Sequence, residues 1–339
     1  MYIVLILGTI LALALLFVVI ANRNWNPRWG DLAYVPVSGT TAKKALSILT
    51  WNIGYAGLGS EASFVADGGD YIRSLSRNEI QNASETIADK IKSSAVDVAL
   101  IQENSKKSFM TRGVPVEEII RQKLDTKLFI YWEDFKTIFV PSWLSFSHGM
   151  SIYSDHIPEW LFALKLPKTG VFYGGLLQKH YGGVVSRFPI DNSNRAWIII
   201  NVHLAGYDDD AKIRNRQCQA VIDYSIEAYK RGDFVVVGGD WNLKLSNLNL
   251  EFTEKEKSQF WLRPFPRRLL PAGWKVRTGD FAPTIRLLDQ KYIEGQGFTT
   301  SVDGFLISPN VEIVRCEAQD LKFANSDHNP VLAEFIAKI

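Results

Sequence analysis

The chain has 339 residues, of which 22% are charged, 47% hydrophobic and 12% aromatic, with 24 Gly and 13 Pro, proportions that exclude a disordered, collagen-like or disulfide-stapled protein. Lys and Arg number 38 against 36 Asp and Glu, a formal charge of +2, and the pI of about 8.3 falls below the value of ~9 that marks a general nucleic-acid binder. At roughly 150 residues per domain the length allows one large or two ordinary domains, and the cysteines, Cys218 and Cys316, have neither metal-ligand spacing nor a disulfide framework.

Met1 to Ala21 carries no charged side chain. As a helix it would span about 31 Å at ~1.5 Å per residue, close to the hydrocarbon thickness of a bilayer. A cleaved secretory signal has a basic start and an apolar run of only ~7–15 residues, whereas here no Lys or Arg precedes the run and the run is longer. The segment therefore reads as a retained single-pass membrane anchor, with an atypical signal peptide as the alternative. The lack of any polar face excludes a core helix. Arg23, Arg28, Lys43 and Lys44 follow it against one acid, Asp31, so the positive-inside rule leans the soluble part towards the cytoplasmic side. Trp25 and Trp29 read as interfacial anchors. Residues 22–44, punctuated by Pro, Gly, Ser and Thr without periodicity, read as a juxtamembrane linker.

From Ala45 to Ile339 there is no repeat, low-complexity tract or second linker, so 45–339 reads as one domain. Short β-branched apolar runs predict strands at Leu46–Ile53, Val96–Ile101, Trp197–Val202, Phe234–Val237, Ser301–Ile307 and Val331–Ile336. Helical stripes fall on Ile80, Ser84, Ile87 and Ile91, and on Ile213, Gln217, Ala220, Val221, Tyr224 and Ala228. Strands alternating with helices predict a layered α/β domain.

Chemically capable groups sit at the ends of these runs: Asn52, then Gln102-Glu103, His203, Asp240-Trp241-Asn242, Asp303 and Ser326-Asp327-His328. Each has an ordinary reading when taken alone. Asn52 and Asp303 are turn residues, Glu103 a solvated acid, His203 a satisfied core histidine, Asp327 an Asx-turn or N-cap before Pro330. Because strand ends gather at sheet rims, however, residues scattered along the whole chain can converge on one site.

In this order, the motifs Leu49-Thr-Trp-Asn-Ile53, Gln102-Glu103, Asn201-Val-His-Leu204, Gly239-Asp-Trp-Asn242, Ser301-Val-Asp303 and Ser326-Asp-His328 resemble those of the endonuclease/exonuclease/phosphatase superfamily. The likeness runs from about Leu46 to Phe335. It implies a four-layer αββα sandwich of the deoxyribonuclease I-like type, following the one N-terminal transmembrane helix read above, and a metal-dependent phosphoesterase. One departure lies in the middle, where a family strand pair of glycine-then-serine type has two candidates, His148–Ser154 and Gly182–Arg187, around an aromatic- and Leu-rich stretch from Trp160 to Leu177.

Brought together, Glu103, Asp240, Asp303 and Asp327 would repel one another, and a divalent cation removes that cost. The candidate ligands are hard oxygens, which favours Mg²⁺, with Mn²⁺ as substitute, over zinc. The resemblance implies Glu103 as central ligand, assisted by Asn52 and Asp327. It implies His328 as general base, Asp303 as the partner of its other ring nitrogen, and Asp240 as the group orienting the nucleophilic water. Asn242 would bond a phosphoryl oxygen, and His203 would stabilise developing charge as cation or donor. Hydrolysis of a phosphate ester needs these functions: a placed water, charge stabilisation and help for the leaving oxygen.

The substrate stays open between nucleic acid and phospholipid. Arg263, Arg267, Arg268, Arg277 and Arg286, with Arg214 and Arg216 after His203, are either a phosphate-tracking stripe or a solvated charged face. Phe139 to Phe146 and Trp160 to Phe162 are either core aromatics or a bilayer-docking surface. The alternative to an enzyme is a catalytically inactive binding or scaffold module on the same fold.

Overall fold

The predicted apolar runs pair into two sheets whose inner faces share one core. A computed structural model of the chain describes residues 2–32, 42–168, 178–206, 208, 210–245 and 253–338. The elements, in order, are α1 (Tyr2–Asn24), β1 (Gly30–Asp31), β2 (Ala45–Asn52), α2 (Arg77–Ser93), β3 (Val98–Asn104), α3 (Val116–Leu124), β4 (Leu128–Lys136), β5 (Ser147–Ser154), β6 (Trp160–Lys165), β7 (Gly182–Pro189), β8 (Ala196–His203), α4 (Lys212–Lys230), β9 (Phe234–Asp240), α5 (Glu254–Lys257), β10 (Lys275–Thr278), β11 (Ile285–Arg286), β12 (Thr299–Thr300), β13 (Asp303–Ile307), β14 (Val311–Ala318) and β15 (Val331–Ala337).

One sheet has six strands in the order β14-β15-β2-β3-β5-β4; the other has seven, β1-β6-β7-β8-β9-β13-β10. Ile48, Leu100 and Ile152 of the first meet Val184, Ile199, Val236 and Phe305 of the second in the central core. The outer face of the six-stranded sheet packs on α2 and α3 through Ile80, Ile87 and Ile120. Val221 and Ile222 of α4 cover the other sheet. This is the four-layer αββα arrangement expected. Every residue of β8 and β9 is buried, the burial of strands covered on both faces, which is why they read as unbroken apolar runs. The two predicted helices form, and α2 starts on a capping box in which Ser76 accepts from the Glu79 backbone while the Glu79 carboxylate accepts from that of Ser76.

Of the longer elements, β4, β6, β10, β14 and α3 are not predicted from the sequence. β4 and β14 are the two ends of their sheet and carry charged residues such as Glu133, Lys136, Glu312 and Arg315 on half-exposed faces, so the alternation that announces a strand is blurred there. Both candidates for the glycine-then-serine strand are strands: β5 pairs with β3 in one sheet and β7 with β8 in the other.

The N-terminal region differs in part from expectation. α1 runs on to Asn24, and Val4–Asn24 is apolar and unburied enough to cross a membrane by length and composition. Residues 22–32, expected as linker, lie on the domain. The Asn22 side chain donates to Ile138 O (2.8 Å) and accepts from Ile138 N (2.7 Å), Trp132 donates to Arg28 O (2.8 Å), and β1 pairs with β6. Trp29 packs on Trp132 with centroids 5.2 Å apart, and Trp25 on His180 at 5.4 Å. Burial of these rings and of the Asn22 amide outweighs the freedom a linker would keep. Residues 42–44 also meet the domain, Ala42 bridging to Ile190, whereas residues 33–41 of the expected linker and 169–177 of the aromatic-rich stretch lie outside the described residues.

Candidate active site

Strand register assembles the site. β2 runs parallel to β3 with Asn52 opposite Gln102, so Glu103 follows one residue beyond. β8 runs parallel to β9 with His203 opposite Asp240, and antiparallel β13 sets Asp303 opposite Asp240. The turn holding Asp327 and His328 precedes β15, which is antiparallel to β2, and is tied to that rim: Trp51 Nε1 donates to His328 O and Ser326 Oγ to Asn52 O, both 2.8 Å. Glu103 has a positive φ of 51° within an irregularity of the β3–β5 register between Ile101 and Asn104, a bulge of the kind that re-aims a side chain. A Cβ at Gly239 would stand 2.0 Å from Val202 O, so only glycine lets β8 and β9 approach here.

A cavity of about 290 Å³ results, lined by Asn52, Glu103, His203, Asp240, Asn242, Asp327 and His328 among others. Asp303 stands behind His328, its Oδ2 2.8 Å from His328 Nδ1. His328 Nε2 lies 3.9 Å from Asp240 Oδ2 and 4.0 Å from Asp327 Oδ2. His203 Nε2 lies 3.5 Å from Asp240 Oδ2 and 3.7 Å from Glu103 Oε1. Asp240 accepts from Asn52 Nδ2 (3.1 Å), Asn242 N (2.8 Å) and Asn242 Nδ2 (3.2 Å). Since Asn242 Nδ2 also donates to Leu204 O at 2.9 Å, both amide hydrogens are engaged. In this geometry Asn242 holds Asp240 and has no donor left for the phosphoryl oxygen expected of it.

Burial and charge compete throughout. Burial disfavours a charged His328, but Asp303, Asp327 and Asp240 outweigh it and push the ring up to about 10. Asp240 is pushed up to about 7 by burial and by the charge of Asp303, against the pull of His328 and its hydrogen bonds. Asp327 rises to about 6, by burial first and with Glu103 adding, opposed by His328 and Arg286. His203 moves the other way, well below the usual histidine range, through burial first and then the charges of Lys179 and His328. The neutral ring is therefore its form, which supports the donor half of the sequence expectation and opposes the cation half.

The oxygen donors fit a hard divalent cation. Asn52 gives an amide hydrogen to Asp240, and its Oδ1 accepts from Gly54 N at 3.0 Å, leaving a lone pair for a cation. The charge of Glu103 adds to the cost of ionising Asp327, which a divalent ion between them relieves. A Cβ at Gly54 would come within 2.8 Å of Asp327 Oδ1, so the glycine gives that carboxylate its space. Among the described residues, Asp240, Asp303 and His328 also offer ligand atoms within 4.8 Å of one another. Asp303 Oδ2 and His328 Nδ1 are already bonded to each other there, which suits a charge-relay pair better than a metal cage.

Several cavity residues went unread in the sequence. Lys179 Nζ lies 3.4 Å from His203 Nδ1; its donation there leaves the ring hydrogen on Nε2, facing Asp240 and Glu103. The ammonium stays charged because Asp134, Tyr181, Glu103 and Asp240 outweigh burial. Asp134 Oδ1 approaches His148 Nδ1 to 2.6 Å, and His148 and Tyr181 line the cavity with Phe135, Phe146 and Met110. Lys179-His180-Tyr181 ahead of the Gly182 strand has no spacing that distinguishes it from a loop, and His148 reads in the sequence only as the start of a candidate strand.

Residues 119–263 match the family model described as "Endonuclease/Exonuclease/phosphatase family 2", a stretch that includes His203, Asp240 and Asn242 but neither Asn52 and Glu103 nor Asp303, Asp327 and His328. No curated protein matches the chain. Among solved structures, the endonuclease/exonuclease/phosphatase from Beutenbergia cavernae is 13% identical with a TM-score of 0.57, over 86% of this chain and 72% of that one. Truncated TDP2 from Caenorhabditis elegans is 16% identical with a TM-score of 0.53, over 86% and 98%. An endonuclease/exonuclease/phosphatase family protein from Bacteroides thetaiotaomicron is 11% identical with a TM-score of 0.53, over 93% and 100%. The resemblance read from the motifs is thereby borne out, and the fold is that of endonuclease/exonuclease/phosphatase structures.

Proposed function

We infer that the chain is a divalent-cation-dependent phosphoesterase, tethered to a membrane by α1, that hydrolyses a phosphodiester or phosphomonoester. The observation that carries this reading is the Asp303–His328 pair at 2.8 Å facing Asp240 across the same cavity that Asn52, Glu103 and Asp327 line. Such a pair next to clustered oxygen donors suits P–O hydrolysis better than acyl transfer, since among the described residues no serine or cysteine nucleophile lines the cavity.

His328 Nε2 and Asp240 Oδ2 stand 3.9 Å apart, close enough for a water near both to be oriented by the carboxylate and give its proton to the ring. Asp303 holds Nδ1, fixes the tautomer and favours the imidazolium as it forms. Asn242 and Asn52 lock Asp240 in place. His203, neutral and with its hydrogen on Nε2, donates to oxygen charge that grows in the transition state. A cation held by Asn52, Glu103 and Asp327 would supply positive charge against the phosphoryl oxygens and offset part of the carboxylate field around His328. Mg²⁺, or Mn²⁺ in its place, is the ion such oxygen donors favour.

The test is the purified full chain in detergent with Mg²⁺, offered plasmid DNA, abasic duplex, RNA, sphingomyelin and phosphoinositides, with His328→Ala as the blank. Wild-type turnover on one ester class is expected, reduced by about 10²–10⁴-fold in His328→Ala and in Asp240→Ala. Near-normal rates in either variant would overturn the role assignment. No hydrolysis, together with no calorimetric binding of Mg²⁺ or Mn²⁺ at millimolar metal, would favour a scaffold.

A further inference from the structure

The loop between β4 and β5 carries large exposed apolar side chains: Phe139 is 65% exposed, Trp143 70% and Leu144 41%. Large apolar groups so disposed on one loop call for a partner. Two contacts say which. The Asn22 side chain pairs with both backbone groups of Ile138, and the ring of Phe139 packs on that of Phe17 in α1, with centroids 5.3 Å apart. Phe17 lies within the apolar span Val4–Asn24, about 10 Å along the helix from its Asn24 end at ~1.5 Å per residue. Where α1 crosses a bilayer, Phe139 beside it lies in the same apolar slab, not in water.

The base of this loop reaches the catalytic cavity. Phe146 packs edge-on against Phe135 with centroids 6.0 Å apart, and both line the cavity with Tyr55, Leu58, Phe64 and Met110. An apolar wall thus runs from the phosphate-handling groups towards the loop that meets α1. Of the seven arginines that could have tracked a nucleic-acid backbone, two are taken up by carbonyls, while Arg216, Arg267, Arg268 and Arg277 are exposed. Arg214 is buried and donates to the carbonyls of Asn242, Asp208 and Trp261. Arg286 is buried and donates to those of Gly59, Ala62 and Gln290. The second aromatic stretch plays no part, because Phe162 stacks on Tyr224 of α4 with centroids 6.3 Å apart and Trp160 packs in the same layer.

We propose that the β4–β5 loop, through Phe139, Trp143 and Leu144, is a second membrane contact that seats the mouth of the catalytic cavity on the bilayer, and that the phosphate ester cleaved there belongs to a membrane lipid. The lipid-substrate half rests on the phosphoesterase reading above; the docking half does not. The polar headgroup phosphate meets His203, Asp240 and His328, and the hydrocarbon next to it lies along the wall of Phe135, Phe146 and Met110.

The full chain reconstituted in phosphatidylcholine vesicles tests both halves. Subtracting the emission of Trp143→Phe from that of wild type isolates Trp143, which should be blue-shifted and quenched by phosphatidylcholine brominated on its acyl chains. A water-like, unquenched component would overturn the docking. For the substrate, the rate on vesicle phospholipid divided by the rate on the water-soluble bis(p-nitrophenyl) phosphate should fall at least ten-fold in the double variant Phe139→Asp, Trp143→Asp. An unchanged ratio, or wild-type cleavage of DNA or RNA with none of phospholipid, would overturn the lipid assignment. A wild-type chain inert on every ester sinks the phosphoesterase reading and the lipid substrate with it, while the quenching result still decides the docking.

Discussion

His328 meets Asp303 on one ring nitrogen and faces Asp240 and Asp327 on the other, so the charge of Asp303 sets both its tautomer and its proton affinity. Asp303→Asn keeps the shape and removes the charge. Turnover should fall by on the order of 10²-fold or more with little change in KM. Because Asp303 is among the groups that raise His328, and catalysis needs the ring unprotonated, the acid limb of the kcat–pH profile should move to lower pH. A profile that keeps its position would place the general base elsewhere. Gly54 makes a steric counterpart: with φ of 47° and a Cβ position 2.8 Å from Asp327 Oδ1, Gly54→Ala should strain the backbone by roughly 1 kcal/mol or more and weaken Mg²⁺ binding severalfold in calorimetry. Full Mg²⁺ affinity in that variant would argue against Asp327 as a ligand.

At the scale of elements, Asp97 joins the strands at the back of the six-stranded sheet. Its carboxylate accepts from Ser47 N (2.8 Å) and Ser47 Oγ (2.6 Å) and lies 3.3 Å from His156 Nε2. Burial alone would raise the group, but the bonds from His156 and Ser47 outweigh it and hold the carboxyl down at about 2. A folded-state value depressed below the unfolded one contributes stability above the unfolded pKa of ~3.9, and that contribution drains away as pH falls towards the folded value. Wild type should therefore lose about 1–3 kcal/mol between pH ~4 and ~2 that Asp97→Asn never had, read as converging denaturant midpoints of the two proteins in acid. Asn22 does similar work between α1 and the domain. Asn22→Ala leaves the N–H and C=O of Ile138 without their partner and should cost about 1–3 kcal/mol, seen as a lower Tm in detergent and faster proteolysis after α1.

The whole molecule stores negative charge at one rim. Asn52, Glu103 and Asp327 come from the six-stranded sheet and its turns, while His203, Asp240 and Asp303 come from the seven-stranded sheet, so the site straddles the sandwich. A cation that binds only the folded chain should stabilise it by about 2.7 kcal/mol at a hundred times its Kd. Mg²⁺ should raise Tm, a chelator should reverse the rise, and Glu103→Ala should abolish it; an equal rise in that variant would place the ion away from Glu103. The same straddling explains the tight packing behind the site, where Gln102 Nε2 reaches Asn201 Oδ1 at 2.7 Å across the two sheets.

The central strands and the groups at their ends were legible because burial on both faces demands unbroken branched apolar runs, and a run that stops at Asn52, His203 or Asp240 marks a rim. α1 was legible as a helix for a related reason: a long run without charged side chains forms one apolar helix, long enough by length and composition to cross a membrane. Tertiary structure alone decided the rest. β4 and β14 are held by their neighbours, not by their own pattern. Lys179 reaches the cavity from a stretch whose spacing carries no signal, and His148 gains its place there with Asp134 as its partner only in the fold. Arg214 and Arg286 look in sequence like solvated or phosphate-binding cations, yet they spend their hydrogens on buried carbonyls. Residues 22–32 read as linker until Asn22 and Trp29 find Ile138 and Trp132 more than a hundred positions away. A propensity acts over a few neighbours along the chain, whereas a polar side chain's role is set by the partner that closes its hydrogen bonds, and that partner is chosen only when the sheets come together.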